Sequence, residues 1–422
     1  MPRQKKLKKD KIAKLLELIE PAEGERIARI VPSCPDFGIC GGCAFLDLPY
    51  EKELELKSKM VAQAIQADFF PNWEEVLTVP SPKVEGYRNK MEFSFGDENV
   101  DGGLALGIRK KKRYYEVAVP TECALIPADF KAIVAETLAY FRQTDETFYH
   151  RMRHTGNLRY LVVRRGEFTG EILVNLVTTT SLDKAHVEKW MQALISLVPQ
   201  GMLQGNIAGI LHTASDAVSD AVVPEEVTLM HGRDYFFEKI NGLTFRISPF
   251  SFFQTNSGGA ELLYQTVAEF AGKGVLIYDL YCGTGTIAQV LAAKAEADTV
   301  IGIELIAEAV EAAKENAREN GLENCRFIAG DVLENMHELT APPDVLVLDP
   351  PRDGIHPKAI GKLIALNAPK VVYVSCKHTS LARDLPFFVE AGYQVKAVRL
   401  HDMFCRTPHV ETVVLLTRCE GY

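Results

Sequence analysis

From about residue 236 to the end of the chain, short apolar runs alternate with longer stretches of helical period. VLIYDLY precedes TIAQVLAAKA, TVIGIEL precedes AEAVEAAKENAREN, and CRFIAGD, DVLVLDPP, KVVYVSC and ETVVLLT supply further runs. Apolar strands separated by amphipathic helices are the pattern of a largely parallel sheet covered on both faces. The fold expected for 236–422 is therefore an α/β, doubly wound, Rossmann-like domain. Residues 81–235 read differently. YRNKMEFSF, LALGIRK, YYEVAV, LRYLVVRR and GEILVNLVTT alternate apolar and polar positions between Gly and Asp turns, with one helix at VEKWMQALISLV. That is an α+β pattern of antiparallel strands. Upstream, ELELKSKMVAQAIQADFF has helical period, and residues 31–50 are turn-rich and carry three cysteines. Residues 1–30 read as a basic tail with one helix stopped near Pro21 and Gly24. The partition expected is 1–30, 31–235 and 236–422.

Composition narrows the class without deciding it. At 422 residues, 47% hydrophobic and 24% charged, the chain suits a globular protein of two or three domains. No apolar run approaches the ~18–20 residues that cross a bilayer. Glu17 and Glu20 interrupt the apolar stretch of the basic N-terminus, so a signal peptide is not expected. The reading is a cytoplasmic, monomeric protein without a membrane partner. The net charge of −9 argues against a nucleic-acid partner until its distribution is considered. Residues 1–14 hold seven Lys/Arg against Asp10, and Arg109-Lys110-Lys111-Lys112-Arg113 is unbroken. Local clusters of this kind suit phosphates, although solvated tails and hairpin tips look the same.

The strand ends of the C-terminal half carry the chemistry. In a doubly wound sheet, ligands bind at the carboxyl ends of strands. Asp279-Leu-Tyr-Cys-Gly-Thr-Gly is such an end, where Gly283 and Gly285 permit a sharp turn. Glu304 ends the next strand 19 residues after Gly285, a position suited to ribose hydroxyls. Asp331 ends a third strand, placed for an adenine amino group. The full dinucleotide fingerprint is absent, since Ile287 and Ala288 stand where its last glycine would fall. S-adenosylmethionine is thus favoured over a nicotinamide.

Cys376 follows the run KVVYVS and should project from a strand end into the same cleft. A buried cysteine is usually an apolar filler. Polar neighbours at the cleft mouth alter that balance, and Lys377 or His378 could lower the thiol pKa. Cys282 and Cys405 compete for the role. A methyltransferase with its own thiol is one that activates carbon. A thiolate added to carbon 6 of uracil makes carbon 5 nucleophilic, and a base must then remove the carbon-5 proton. Glu411 fits that base, unless it merely pairs with His409 or Arg406.

A third constellation lies outside the catalytic half. Cys34, Cys40 and Cys43 form the tight cluster CPDFGICGGC, and Cys123 in PTECALIP is the candidate fourth thiol. Four soft thiolates suit an iron–sulfur cluster or zinc. The spacing is not that of a radical enzyme, and zinc ribbons usually pair two CxxC hairpins.

DLYCGTG, DPPRDG, SCKHTSLARDL and HVET, in this order, resemble the RNA 5-methyluridine methyltransferase family that includes the TrmA- and RumA-type enzymes. PFSFFQTN is similar to the family's segment before the cofactor domain. The resemblance runs from about residue 30 to the end. It implies that Cys376 is the nucleophile and Glu411 the base. It also implies that Gln254, Tyr281, Thr286, Glu304 and Asp331 line the S-adenosylmethionine site, with Asp349 on the cofactor or the target base. The RumA-like branch, whose members act on large-subunit rRNA, carries a [4Fe–4S] cluster of this cysteine spacing, whereas tRNA-modifying members generally lack it. The partner implied is RNA, with 23S rRNA as substrate and tRNA as the alternative. Only about 33 residues precede Cys34, too few for the β-barrel that many rRNA members carry. Two departures stand out: Lys377-His378 replaces the frequent Asn-Pro, and Cys405-Arg406 replaces Pro-His or Pro-Gly. Both are expected to bear on target-base contacts. Rival readings are an amino-group methyltransferase, which needs no thiol, and a non-catalytic iron–sulfur RNA-binding protein.

Overall fold

The computed structural model describes residues 11–19, 27–70, 72–100, 102–113, 115–218, 224–295, 297–339 and 341–419. The basic tail over residues 1–10 lies outside them; Lys11–Leu16 is a short helix.

The C-terminal half forms the expected Rossmann-like methyltransferase sheet. Its strand order is Leu77–Val79, Tyr393–His401, Glu411–Arg418, Lys370–Ser375, Val345–Leu348, Leu276–Leu280, Thr299–Glu304 and Cys325–Ala329. The strands pair in parallel, except that Glu411–Arg418 runs antiparallel to both neighbours. Central strands read as unbroken apolar runs because helices cover both faces: Val345, Leu346, Val347 and Leu348 are all fully buried. Two strands were not legible as such, Tyr393–His401 and Leu77–Val79. Tyr393–His401 alternates buried and half-exposed positions, as an outer strand does. Leu77–Val79 comes from far upstream and pairs with Arg399–His401 at the sheet edge. Residues 50–79 therefore belong in space with the C-terminal sheet: the helix Tyr50–Phe69 packs on the helix His378–Glu390.

The second sheet has seven strands: Val117–Ala118, Leu104–Arg109, Lys90–Asp97, Leu158–Arg165, Glu171–Thr178, Asn206–Ala214 and Glu226–Gly232. Only the pair Glu171–Thr178 and Asn206–Ala214 is parallel, bridged by the helix Lys184–Ser196. A second helix, Ala128–Phe141, joins the one helix expected here. Its buried Phe130, Ile133, Val134, Leu138 and Phe141 recur at three- and four-residue spacing, so the signal was present in the sequence. Both helices cover the same core, which also takes in Cys34, Cys43, Cys123 and Cys405. Among the described residues no helix is long and apolar enough to cross a membrane.

Candidate active site

Four adjacent strands of the large sheet deliver four reactive groups to one edge. Asp279 lies near the end of Leu276–Leu280, Asp349 follows Val345–Leu348, Cys376 follows Lys370–Ser375, and Glu411 opens the antiparallel strand Glu411–Arg418. Ser375 pairs with Thr412 as the last rung of this ladder, so Cys376 leaves it where Glu411 enters, and the two side chains act on each other electrostatically. Facing residues on neighbouring strands lie ~4.5–5.5 Å apart at Cα. Cys376, Arg352, Lys377, His378, Thr379, Pro408, His409, Val410 and Met60 line an open cleft of about 440 Å³.

Burial and like charge set the protonation of these groups. Burial, then the Glu411 and Asp349 carboxylates, push the Cys376 thiol up to about 11. Arg352 opposes this, so the cation acting on the thiol is Arg352 rather than Lys377 or His378. Lys377 instead sits 3.9 Å from Asp353, and burial lowers the pKa of His378. Glu411 is raised to about 8 by burial and Asp349, again offset by Arg352. Burial alone lifts Asp349 to about 7. Asp279 rises well above the carboxylate range through burial and Asp349, partly offset by the backbone N–H of Ala288. Three crowded, desolvated carboxylates are a poor arrangement alone and a good one beside a cation.

The other expected cofactor residues surround this edge. Gly285 holds φ +72°, and a Cβ there would meet the Phe327 ring at 2.5 Å, so only glycine fits. Gly283, at φ +55°, faces open space with nothing within 4 Å of a built Cβ. Glu304 accepts from Gly283 N at 3.0 Å and from Ile306 N at 3.0 Å, tying the glycine turn to the next strand. Tyr281 is left-handed at φ 67° and is pushed up to about 12 by burial and then Asp331. Asp331 accepts from Leu333 N at 2.7 Å, and Thr286 is buried at the start of the helix Thr286–Lys294. Gln254 is held through its carbonyl, which accepts from Asn89 Nδ2 at 2.8 Å.

Two rival thiols drop out. Cys405 is fully buried in the core of the seven-stranded sheet and does not line the cleft. Cys282 lies under the glycine turn, its Sγ 2.8 Å from where a Cβ on Gly302 would be. Glu411 does not pair with Arg406, which is committed to Leu48 and Glu53, nor with His409, whose Nδ1 accepts from Arg352 at 3.0 Å.

Some site residues had no legible signal. Tyr264, inside the helix Ser257–Ala271, is buried among Asp349, Glu411 and Asp279, bonds the Gln254 side chain and is raised strongly by that burial and charge. At the sequence level it is one more apolar position of that helix. Phe252, two residues before Gln254, is 71% exposed.

The four N-terminal thiols are buried, Cys34, Cys40, Cys43 and Cys123 each being less than a tenth exposed. They are electrostatic neighbours: burial and then Cys123, Cys40 and Cys34 push Cys43 up to about 12. Burial, and among its causes Cys40, also raises Cys123. Among the described residues, however, no group of three or more Cys, His, Asp or Glu is arranged to hold a metal ion. The ligand set expected for an iron–sulfur cluster is thus not formed among the described residues; the four thiols are buried electrostatic neighbours. The loop pairs with the basic hairpin tip, Cys40 bridging Lys110.

A methyltransferase-domain family model matches residues 271–405. An uncharacterized RNA methyltransferase of Clostridium tetani is 46% identical over 407 residues, covering 96% of this chain and 87% of the relative. The chain belongs to the RNA methyltransferase family of the TrmA and RumA type. Another such RNA methyltransferase, from Caldanaerobacter subterraneus, is 44% identical over 99% of this chain and 90% of its own length. The tRNA (uracil-54, C5)-methyltransferase of Pyrococcus abyssi, solved with S-adenosyl-L-homocysteine, superposes with a TM-score of 0.72 at 27% identity, covering 94% of this chain and 91% of that one. This RNA methyltransferase therefore shares its overall fold with a structure whose cofactor product is bound.

Proposed function

We propose that this RNA methyltransferase transfers a methyl group from S-adenosylmethionine to carbon 5 of a uridine, through a covalent Cys376–carbon 6 adduct resolved by Glu411. The observation that carries the reading is the proximity of the Cys376 thiol to the Glu411 and Asp349 carboxylates, next to the last paired rung Ser375–Thr412, with the buried Asp279 carboxylate nearby. Asp279, Asp349 and Glu411 suit a cationic ligand, and Gly283 leaves room for one. Gln254, Tyr281, Thr286, Glu304 and Asp331 would hold its other parts. S-adenosylmethionine, when bound, supplies the electrophilic methyl.

Cys376 adds as thiolate to carbon 6, and the electron pair delocalised onto carbon 5 forms the new carbon–methyl bond. Glu411 then takes the carbon-5 proton, and the returning electron pair expels the Cys376 thiolate. Arg352 favours the charged forms of both residues. A paired uracil edge is out of reach, so the target is single-stranded or flipped. Phe252 offers an exposed ring on which a base can stack.

For the substrate we favour 23S rRNA, on the strength of the four N-terminal thiols. The architectural match to a tRNA uracil-54 enzyme supports tRNA as the second reading. Incubation with S-adenosylmethionine and each unmodified RNA, followed by nucleoside digestion, decides between them. 5-Methyluridine from rRNA alone is expected; product from tRNA alone moves the substrate, and methyladenosine or methylguanosine refutes the carbon-methylation reading.

The thiols fit a [4Fe–4S] cluster by chemistry and burial, with Cys34, Cys40, Cys43 and Cys123 as ligands. Cys123→Ser is expected to lose iron and brown colour as fully as Cys43→Ser. Full iron content in Cys123→Ser would remove it from the ligand set.

Cofactor binding should also release protons. A cation beside Asp349 (about 7) and Glu411 (about 8) lowers both, so protons held near pH 7 are given up and affinity rises with pH through 7–8. Calorimetry at pH 7 in phosphate and in Tris is expected to show release on the order of one proton, and less in Glu411→Gln. Equal enthalpies in the two buffers would contradict a charged group near the carboxylates.

A further inference from the structure

We propose that Lys57 is a positioning residue for the segment that delivers Glu411, a role that rests on Glu411 acting as the base. Residues 402–410 connect Tyr393–His401 to Glu411–Arg418, whose ends pair His401 with Glu411. Four consecutive carbonyls of this connection are each claimed by a different part of the chain. Met403 O accepts from Asn256 Nδ2 at 3.1 Å, Phe404 O from Lys57 Nζ at 3.1 Å and Cys405 O from Tyr87 Oη at 3.0 Å. Arg406 O accepts from Ala44 N at 2.7 Å and Phe45 N at 3.2 Å, directly after Cys43.

The side chains lock the same segment from beneath. Lys57, with a fully buried side chain, spends its remaining donors on Asp402 Oδ1 at 2.6 Å and Glu53 Oε1 at 2.8 Å. Asp402 also accepts from Tyr50 Oη at 2.9 Å. Glu53 accepts from Arg406 N at 2.6 Å, and the Arg406 guanidinium reaches Glu53 Oε2 at 3.5 Å and Leu48 O at 3.0 Å. Two cations and two carboxylates thus balance in a buried network. Arg406 sits at φ 66°, a conformation an arginine holds only when its surroundings impose it. The remainder of the connection, Pro408, His409 and Val410, is the cleft wall, where His409 Nδ1 accepts from Arg352, and Met60, one turn after Lys57, lines the same cleft.

A buried ion network of this kind is seldom the most stable filling of its space, and its best-attested use is to select one geometry. Here that geometry is the approach of Glu411 to the cleft. The departure Cys405-Arg406 belongs to this lock: neither residue lines the cleft, and on this proposal they act through placement of the base.

The test is Lys57→Met combined with Asp402→Asn, which removes one positive and one negative charge together, compared with Glu411→Gln on denaturing gels. The folded double variant is expected to bind S-adenosylmethionine within twofold of the parent and to keep its KM for RNA. Its kcat should fall at least tenfold, and it should accumulate a methylated, covalent RNA adduct because elimination slows more than methyl transfer. An unchanged kcat, or a loss without adduct, overturns the proposal while a Glu411→Gln adduct leaves the reaction reading intact. Absence of adduct in Glu411→Gln itself removes the base assignment and the Lys57 role with it. Tyr50→Phe, which deletes only the hydroxyl on Asp402, covers the case of a double variant that does not fold. It should raise the adduct fraction by a smaller factor, and no rise overturns the proposal.

Discussion

Cys376→Ala is expected to abolish methyl transfer while leaving S-adenosylmethionine binding within a few-fold of the parent. The thiol lines the open cleft, next to the Glu411 carboxylate, and the glycine turn at Gly283 and Gly285 is not part of that lining. Its removal costs the whole covalent route, because carbon 5 of uracil has no other source of nucleophilicity in the site. Loss of a covalent nucleophile removes rate on the scale of ~10^6-fold, so residual activity should be undetectable. The half-buried side chain packs at a strand end and not in the core, which keeps the stability cost of truncation small. Full turnover by Cys376→Ala would establish an amino-group methyltransferase in its place. Parallel substitutions at Cys282 and Cys405 should retain the chemistry, Cys405→Ala losing stability through its buried position.

Glu411→Gln carries the second large effect, and its signature is accumulation and not mere loss. The amide keeps the shape of the side chain but cannot take the carbon-5 proton. Methylation proceeds, elimination stalls, and turnover should drop about 10^2- to 10^4-fold, the range of general-base contributions. The product is RNA bound covalently to protein. The parent enzyme should show the matching pH dependence: the base must be ionised, and burial with Asp349 raises Glu411 to about 8 in the cofactor-free protein. Activity therefore rises with pH along a limb that the bound cofactor's cation shifts below this value, and Glu411→Gln loses that limb. Normal turnover of the variant would place the base elsewhere.

The parts of this account that were legible in the sequence are those written in local pattern. Apolar runs with helices between them announced the parallel sheet, and the strand-end positions of Asp349 and Cys376 followed from where those runs stop, that of Glu411 from where one starts. What stayed hidden depends on pairing between distant segments. Leu77–Val79 is three residues long and becomes a strand only because Arg399–His401 offers an edge. Tyr264 looks like core until three carboxylates are brought around it. Helical period does not reveal that Lys57 and Glu53 are fully buried, since the groups that neutralise them, Asp402 and Arg406, lie 345 or more residues away. The electrostatic partner of the thiol was misjudged for the same reason: Lys377 and His378 are adjacent in sequence, whereas Arg352 arrives from another loop.

The most direct test of the central claim uses 5-fluorouridine-substituted RNA. Fluorine at carbon 5 cannot be removed as a proton, so a true uracil-carbon-5 enzyme stalls after methyl transfer. The account predicts a protein band shifted on a denaturing gel, dependent on S-adenosylmethionine, formed with 23S rRNA fragments and absent with Cys376→Ala. A band with tRNA alone would change the substrate and keep the chemistry. No S-adenosylmethionine-dependent band with either RNA, from protein that methylates unsubstituted RNA, would contradict the covalent mechanism.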